Sequence, residues 1–293
     1  MQNNRNTNLC RAKQVKNDEY YTLLEDIEKE MQVYLNYDPD VLRGKTVLCP
    51  CDDPDWSNFT HYFTHNFHRL GLKRLISTCI AANGDRHGKV LIMDAHGVQR
   101  GELQGTGDFH SEEIRGYRDQ ADVIVTNPPF SLLRAFVLWI MEAGKQFLIV
   151  GNLNTIVSSP VIFPYILRNE IRLGKTFNGK AVRFRSPYSE DAIKIGNCCW
   201  VTNLPRLNNP PMRLNTTSSK NLQHYDNIDA VEVPTVKSIP SDYQGAMGVP
   251  ITFLYQYSPD QFELLSSQWH CLLNGRNVYQ RLIIRRRPAT SNN

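Results

Sequence analysis

Between Lys45 and roughly Thr202, short apolar runs alternate with segments of helical periodicity, and that alternation permits few architectures. The runs KTVLC (Lys45 to Cys49), RLISTCI (Arg74 to Ile80), ADVIVT (Ala121 to Thr126) and QFLIVG (Gln146 to Gly151) are β-branched and nearly continuous. Strands covered on both faces have this composition, whereas half-exposed strands alternate polar with apolar. Between them, Ser57 is placed to cap a helix with Phe59, Tyr62, Phe63, Phe67 and Leu70 on one face and Gly71 as its stop. A second helix carries Leu132, Leu133, Phe136, Val137 and Ile140 and ends at Gly144, with Ser131 as its expected cap. The pattern predicts an α/β fold with a parallel sheet and crossover helices.

Two stretches break the alternation. From Ala81 to Gly107 the chain turns Gly-rich and hairpin-like (ANGDRHGKVLIMDAHG), which reads as an insertion at the carboxyl edge of the sheet. After GNCCWVTN comes a polar segment rich in Asn, Pro, Ser and Thr, so a boundary is expected there, with a catalytic domain over 1–204 and a smaller module over 205–293. No run approaches the roughly 20 apolar residues that cross a bilayer, and the first residues are polar without the apolar centre of a signal peptide. Seven cysteines, with no second pair at ligand spacing near CPC or CC, read as reduced thiols rather than a metal site, so the chain is expected to be cytoplasmic. A net charge of +4 permits a nucleic-acid partner without demanding one. Its distribution is more telling: Arg276, Arg281, Arg285, Arg286 and Arg287 crowd the C-terminal end, either to hold a polyanion or as a solvated strand end.

In open α/β sheets ligands bind beyond the carboxyl ends of the strands. The first strand here runs into CPCDDPDWSNF after Cys49, GTGDF sets Asp108 and Phe109 at an expected third strand, and VIVT runs into Asn127-Pro128-Pro129-Phe130. The last turn has a specific chemical reading. A side-chain amide oxygen and a proline-fixed backbone carbonyl can both accept from one exocyclic amino group and so orient its lone pair. Proline fixes φ near −65° and offers no competing N–H, and the aromatic ring that follows can stack on a planar base.

Asn-Pro-Pro-aromatic after an apolar strand resembles the catalytic motif of amino-group methyltransferases that use S-adenosylmethionine. Most of the length is similar to the EcoRI-type adenine-specific DNA methyltransferases: EYYT with DIEKEM, CDDPDWSNFTHYF, GTGDFHSEE, DVIVTNPPFSLLR, FLIVGNLN, VPITFLYQYSPDQFELL and YQRLIIRR carry the resemblance. It implies a Rossmann-like methyltransferase sheet with a smaller C-terminal target-recognition module. It also implies transfer of methyl to the N6 amino group of adenine in double-stranded DNA, after base flipping and by direct in-line attack. A restriction endonuclease acting on the same site, without direct binding, is the implied companion in a bacterial or phage-infected cell.

By the same resemblance Asn127, Pro128, Pro129 and Phe130 grip the flipped adenine. Tyr20, Tyr21 and Thr22 close over the methionine end of the cofactor, although Leu23 stands where related enzymes often have proline. Asp108 and Phe109 meet the cofactor's adenine, unless Asp108 is only a turn residue. Cys49, Asp52, Asp53 and Asn58 form the first-strand motif, which lacks the usual glycines. Carboxylates there would suit a cationic cofactor, or would merely serve the helix N-terminus. With little room between this motif and Asn127, the DNA-reading part falls C-terminal, where the arginines 281, 285, 286 and 287 are the nucleic-acid candidates, beside Phe130 in the catalytic domain for the flipped base. Amino methylation of RNA guanine or protein glutamine, or an inactive anti-restriction relative, are the competing readings.

Overall fold

A computed structural model describes residues 21–82, 84–176, 182–186, 189–214, 219 and 222–288, so the expectation for Tyr20 lies outside the described residues. The chain divides into two compact units, Met1–Asn152 with Gly174–Arg206, and Leu153–Leu173 with Leu207–Asn293. The expected boundary lies at 205, the chain passes from the first unit to the second after Arg206, and 153–173 groups with the second unit.

The first unit opens with β1 (Tyr21–Thr22), α1 (Leu24–Tyr37), β2 (Thr46–Cys49), α2 (Asn58–Asn66), β3 (Arg74–Cys79), β4 (Lys89–Asp94) and β5 (Gly97–Glu102). It continues through α3 (Glu112–Gln120), β6 (Val123–Thr126), α4 (Leu133–Glu142) and β7 (Gln146–Asn152). The chain passes through α5 (Leu153–Ser158), α6 (Phe163–Leu167) and β8 (Arg172–Leu173) of the second unit, then returns with β9 (Val182–Ser186), β10 (Ser189–Ile195) and β11 (Cys198–Thr202). Within this unit the large sheet runs β5-β4-β3-β2-β6-β7-β11. The inner four strands are parallel, with β2 between β3 and β6 and β7 beyond β6. The flanking strands β4, β5 and β11 run antiparallel, so the sheet is mixed rather than wholly parallel. A smaller antiparallel sheet joins β1, β9 and β10.

Burial explains the inner strands. All four residues of β2 and of β6 are buried, and the Phe59, Tyr62 and Phe63 face of α2 packs into the same core as Val47 and Cys49. Phe59 meets the fully buried Trp200 edge-on at 6.0 Å, which ties α2 to β11. Ser57 caps α2 as expected, its side chain accepting from the Phe59 N–H at 3.1 Å.

Three local expectations fail for identifiable reasons. Ser131 is no cap, because the Leu132 N–H bonds back to the Pro129 carbonyl and makes a 3₁₀ turn over Phe130–Leu132 that runs directly into α4. The Ala81 to Gly107 stretch is a hairpin, but β4 and β5 extend the sheet sideways beyond β3 instead of forming a loop at its carboxyl edge. GTGDF forms no strand. It loops against the end of β3, with the Thr106 carbonyl accepting from Ala81 N–H, and Gly107 sits at φ +81° where a Cβ would lie 2.4 Å from the Cys79 carbonyl oxygen.

In the second unit, β12 (Val231–Glu232), β13 (Met247–Pro250), β14 (Phe262–Gln268) and β17 (Arg281–Arg286) form a sheet in the order β12-β13-β17-β14. A hairpin of β15 (Cys271–Leu273) and β16 (Arg276–Val278) turns through Asn274 and Gly275, both at positive φ. Leu153, Ile156, Phe163 and Ile166 are buried, and α6 packs on β14, so the apolar faces of 153–173 are covered within this unit. No helix among the described residues is long and apolar enough to cross a membrane.

Candidate active site

The chain leaves β2 for β3 on one side and returns to β6 on the other, so the carboxyl ends of β2 and β6 mark the place where strand order reverses. Connections diverge at such a point and leave a crevice. The turns that leave these two strands are the glycine-poor CPCDDPD segment and Asn127-Pro128-Pro129-Phe130.

Asp52 joins them. Its carboxylate, 5% exposed, accepts from the Thr126 hydroxyl at 2.5 Å on one oxygen and from the Ser57 hydroxyl at 2.6 Å on the other. Its backbone N–H donates to the Thr78 carbonyl at 3.0 Å, and its own carbonyl accepts from the Ser77 hydroxyl at 2.9 Å. Ser77 in turn shares a 2.6 Å hydrogen bond with Thr60 on α2. A turn built this way spends its polar groups on its neighbours. Of the two sequence readings, service to the helix N-terminus is visible here, through Ser57, and the link to Thr126 is one that local sequence could not show.

Thr126 is fully buried, Asn127 half-buried, Pro128 buried, and Pro129 and Phe130 half-buried. Phe130 rests part of its ring on the main core, which holds the end of the turn in place. Beside the first-strand turn, Asn58 donates its side-chain N–H to the Thr22 carbonyl at 2.8 Å. The structure therefore brings two sequence candidates 36 residues apart into direct contact. Thr22 is 2% exposed, and its hydroxyl is buried with no hydrogen-bond partner among the described residues.

The other candidates are placed differently. Asp53 faces the β4 hairpin, with Lys89 at 3.6 Å and the Cys79 thiol donating to it at 3.6 Å. Asp55 extends that contact through Lys89 at 2.7 Å and Arg100 at 2.8 Å. The Lys89 hydrogen bond is the leading cause that lowers the Asp55 carboxyl below its ordinary range, but both groups are solvent-exposed and the pair adds little stability. Asp108 accepts on one oxygen from the backbone and ring of His110, at 2.9 and 3.1 Å, as a turn residue does. Phe109 is 5% exposed and packs edge-on against Phe136 at 5.1 Å and Trp139 at 5.6 Å, so most of its ring is committed to the interior.

Cys49 is wholly buried in the core, its thiol pushed well above the ordinary range by burial, so its side chain offers nothing to a ligand. Cys199 is raised in the same way, and burial pushes Cys198 up to about 12. All six described cysteines are free thiols. Alkylation of the native protein at pH 8 is expected to spare Cys49, Cys198 and Cys199 and to modify the partly exposed Cys51, with peptide mapping as the readout. Equal labelling of all four would contradict the packing.

The C-terminal arginines occupy the second unit. Arg281 pairs with Glu232 at 2.8 Å, with side chains only 12% and 9% exposed, and Glu232 also accepts from the Tyr225 hydroxyl. That charge is neutralised internally instead of standing ready for a phosphate. Arg285 is exposed and lies 3.8 Å from Glu263, Arg286 donates to the Ser241 carbonyl, and Arg287 donates to the Pro259 carbonyl at 2.7 Å. Among the described residues no group of three or more His, Cys, Asp or Glu side chains could hold a metal ion.

The family described as adenine-specific methyltransferase EcoRI matches residues 8–286. The chain belongs to that family. It is a DNA methyltransferase, and the match spans both compact units. It is 36% identical to the Type II methyltransferase M.EcoRI of Escherichia coli, over 94% of this chain and 95% of that one. It is 37% identical to M.MgeORF184P of Mycoplasma genitalium and 38% identical to M.MpnI of Mycoplasma pneumoniae. Both of these are Type II methyltransferases, and each match covers 90% of this chain and 86% and 85% of theirs respectively. No solved structure matches.

Proposed function

We propose that this methyltransferase transfers a methyl group from S-adenosylmethionine to the N6 amino group of an adenine flipped out of double-stranded DNA at a specific sequence. The observation that carries the reading is the position of Asn127-Pro128-Pro129-Phe130 at the strand-order reversal of a sheet whose inner strands run β3-β2-β6-β7. In this reading the sheet is Rossmann-like, and the crevice beside β2 and β6 takes both reactants.

The residues present fit the cofactor. Thr22 supplies a buried hydroxyl with no partner among the described residues, Asn58 supplies an amide beside it, and Asp108 supplies a carboxylate in the loop against the end of β3. The second Asp108 oxygen suits an adenine amino group. When bound, S-adenosylmethionine supplies an electrophilic methyl on a sulfonium. The protein's part is positional: the Asn127 side-chain oxygen and the Pro128 carbonyl accept from the target amine, hold its lone pair in line, and favour the positive charge that grows on it. The Pro129 carbonyl accepts from the Leu132 N–H within the turn, and in this reading the Pro128 carbonyl is the backbone acceptor for the amine. Stacking on Phe130, worth about 1–3 kcal/mol, offsets part of the few kcal/mol that extrusion of the base costs.

The second unit is the target-recognition part of this reading, with Trp269 and Tyr279 exposed at 48% and 60% and Arg276 and Arg285 on its surface. A protein of this kind works where the bacterial chromosome is, in the cytoplasm, beside an endonuclease that cuts the same site without binding it. Incubation with radiolabelled S-adenosylmethionine and separated DNA, RNA and protein is expected to label DNA at adenine N6. Label confined to RNA or protein would replace the substrate, and no label with no cofactor binding would point to an inactive relative.

A further inference from the structure

We infer that Asp52 is a positioning residue for the Asn127 turn, acting through the hydroxyl of Thr126 across the strand-order reversal. This goes beyond the methyl-transfer reading and rests on it only for the activity measurements. The register shows why a latch is needed at this spot. Pairing of β2 with β6 runs Val47↔Val123 and Leu48↔Ile124, whereas pairing of β6 with β7 continues to Thr126↔Ile149. On the β2 side the ladder stops two residues before Thr126, where the strands part to form the crevice.

The 2.5 Å bond from Thr126 to Asp52 takes over where the ladder ends. Its groups are almost wholly out of water, with Thr126 at 0%, Asp52 at 5% and Ser57 at 4% exposure. A carboxylate suits the position because both its oxygens accept, one from each hydroxyl. An amide could accept from one only and would turn an N–H toward the other hydroxyl, whose proton would then lose this acceptor. Since Asn127 follows Thr126 directly, the latch sets the peptide plane from which the Asn127 side chain departs. An error of about 1 Å at a reacting group can cost on the order of 100-fold in rate.

Thr126→Val removes the hydroxyl while keeping size and β-branching, Thr126→Ser keeps the hydroxyl, and Asp52→Asn removes one acceptor. Thr126→Val and Asp52→Asn are expected to lower kcat for DNA methylation about 10- to 100-fold, with cofactor Kd and DNA KM changed less than about threefold. Thr126→Ser is expected within about threefold of the wild type, and the Thr126→Val/Asp52→Asn double variant no slower than the slower single, since the two act through one bond. The Asn127 side-chain amide signals in ¹⁵N spectra are expected to move in Thr126→Val and stay in Thr126→Ser. A Thr126→Val protein with wild-type kcat and unmoved Asn127 signals overturns the inference, as do losses that multiply in the double variant. A wild-type protein that methylates nothing overturns the methyl-transfer reading alone, and the Asn127 signals then decide the latch. Should Asp52→Asn fail to fold, the two Thr126 variants still decide it.

Discussion

Asn127→Ala is expected to reduce methyl transfer by about 100- to 1000-fold while cofactor affinity stays nearly unchanged. The magnitude is that of removing one preorganised group aimed at charge that develops during reaction. Asn127 is half-buried at the end of a strand whose preceding residue is fully buried, so truncation to alanine removes the amide without opening the core. In the proposed reading the Pro128 carbonyl remains as an acceptor, and Phe130 still packs on the core, so binding of base and cofactor is expected to be largely retained. Single-turnover methylation with a matching cofactor titration separates the two effects. Activity within about fivefold of the wild type would remove Asn127 from the chemistry, and a parallel loss of cofactor binding would reassign it to the cofactor.

The second large effect falls on stability, at Glu30. This carboxylate is 0% exposed and accepts from the Tyr34 hydroxyl at 2.9 Å, from the Lys175 N–H at 3.0 and 3.1 Å, and from the Thr176 N–H and hydroxyl at 2.9 and 2.8 Å. Burial, followed by the Glu30 charge, pushes the Tyr34 phenol well above its ordinary range, so it stays a donor at any physiological pH. Gly174 completes the arrangement, because a Cβ there would lie 2.3 Å from a Glu30 oxygen and 2.4 Å from the Trp200 Cβ. Glu30→Ala would remove the acceptor shared by the buried Tyr34 hydroxyl and the part-buried donors of Lys175 and Thr176, and is expected to cost about 3–5 kcal/mol, lowering Tm by roughly 10 °C. Glu30→Gln is expected to lose less, since its amide still accepts on one atom. The effect bears on function, because Glu30 anchors the chain as it re-enters the first unit ahead of β9, the strand that pairs with Thr22. A Tm within about 2 °C of the wild type in Glu30→Ala would show that the cluster is not an anchor.

Much of this was legible in the chain itself. Continuous β-branched runs marked β2, β3, β6 and β7, because strands buried on both faces leave no room for alternation. The α2 cap was legible because capping is local, with donor and acceptor two residues apart. Local reasoning failed at Ser131, where a polar residue after two prolines looks like a cap but the Pro129 carbonyl had already closed a tighter turn. It failed at GTGDF, where close approach of Gly107 to the end of β3 replaces a strand. It also failed at 153–173, whose amphipathic residues show that they need a partner without showing which unit provides it.

The arginine-rich end divides in the same way. Its charge is plain from composition, but whether each arginine is available depends on distant acceptors. Arg281 is taken up by Glu232, 49 residues away. The signal that could have found the latch was a threonine closing an otherwise apolar buried strand, directly before Asn127.

By itself the sequence determined the inner strands, the helix that follows each turn, the Asn127-Pro128-Pro129-Phe130 corner and the family to which they belong. These depend on periodicity, backbone restriction and motif, which are properties of neighbouring residues. Only the tertiary structure decided that Thr22 meets Asn58, that Glu30 receives the returning chain, and that Asp52 is held by Thr126, 74 residues away. A buried carboxylate needs donors, but which ones it finds is set by the strand order that brings two chain segments to the same edge.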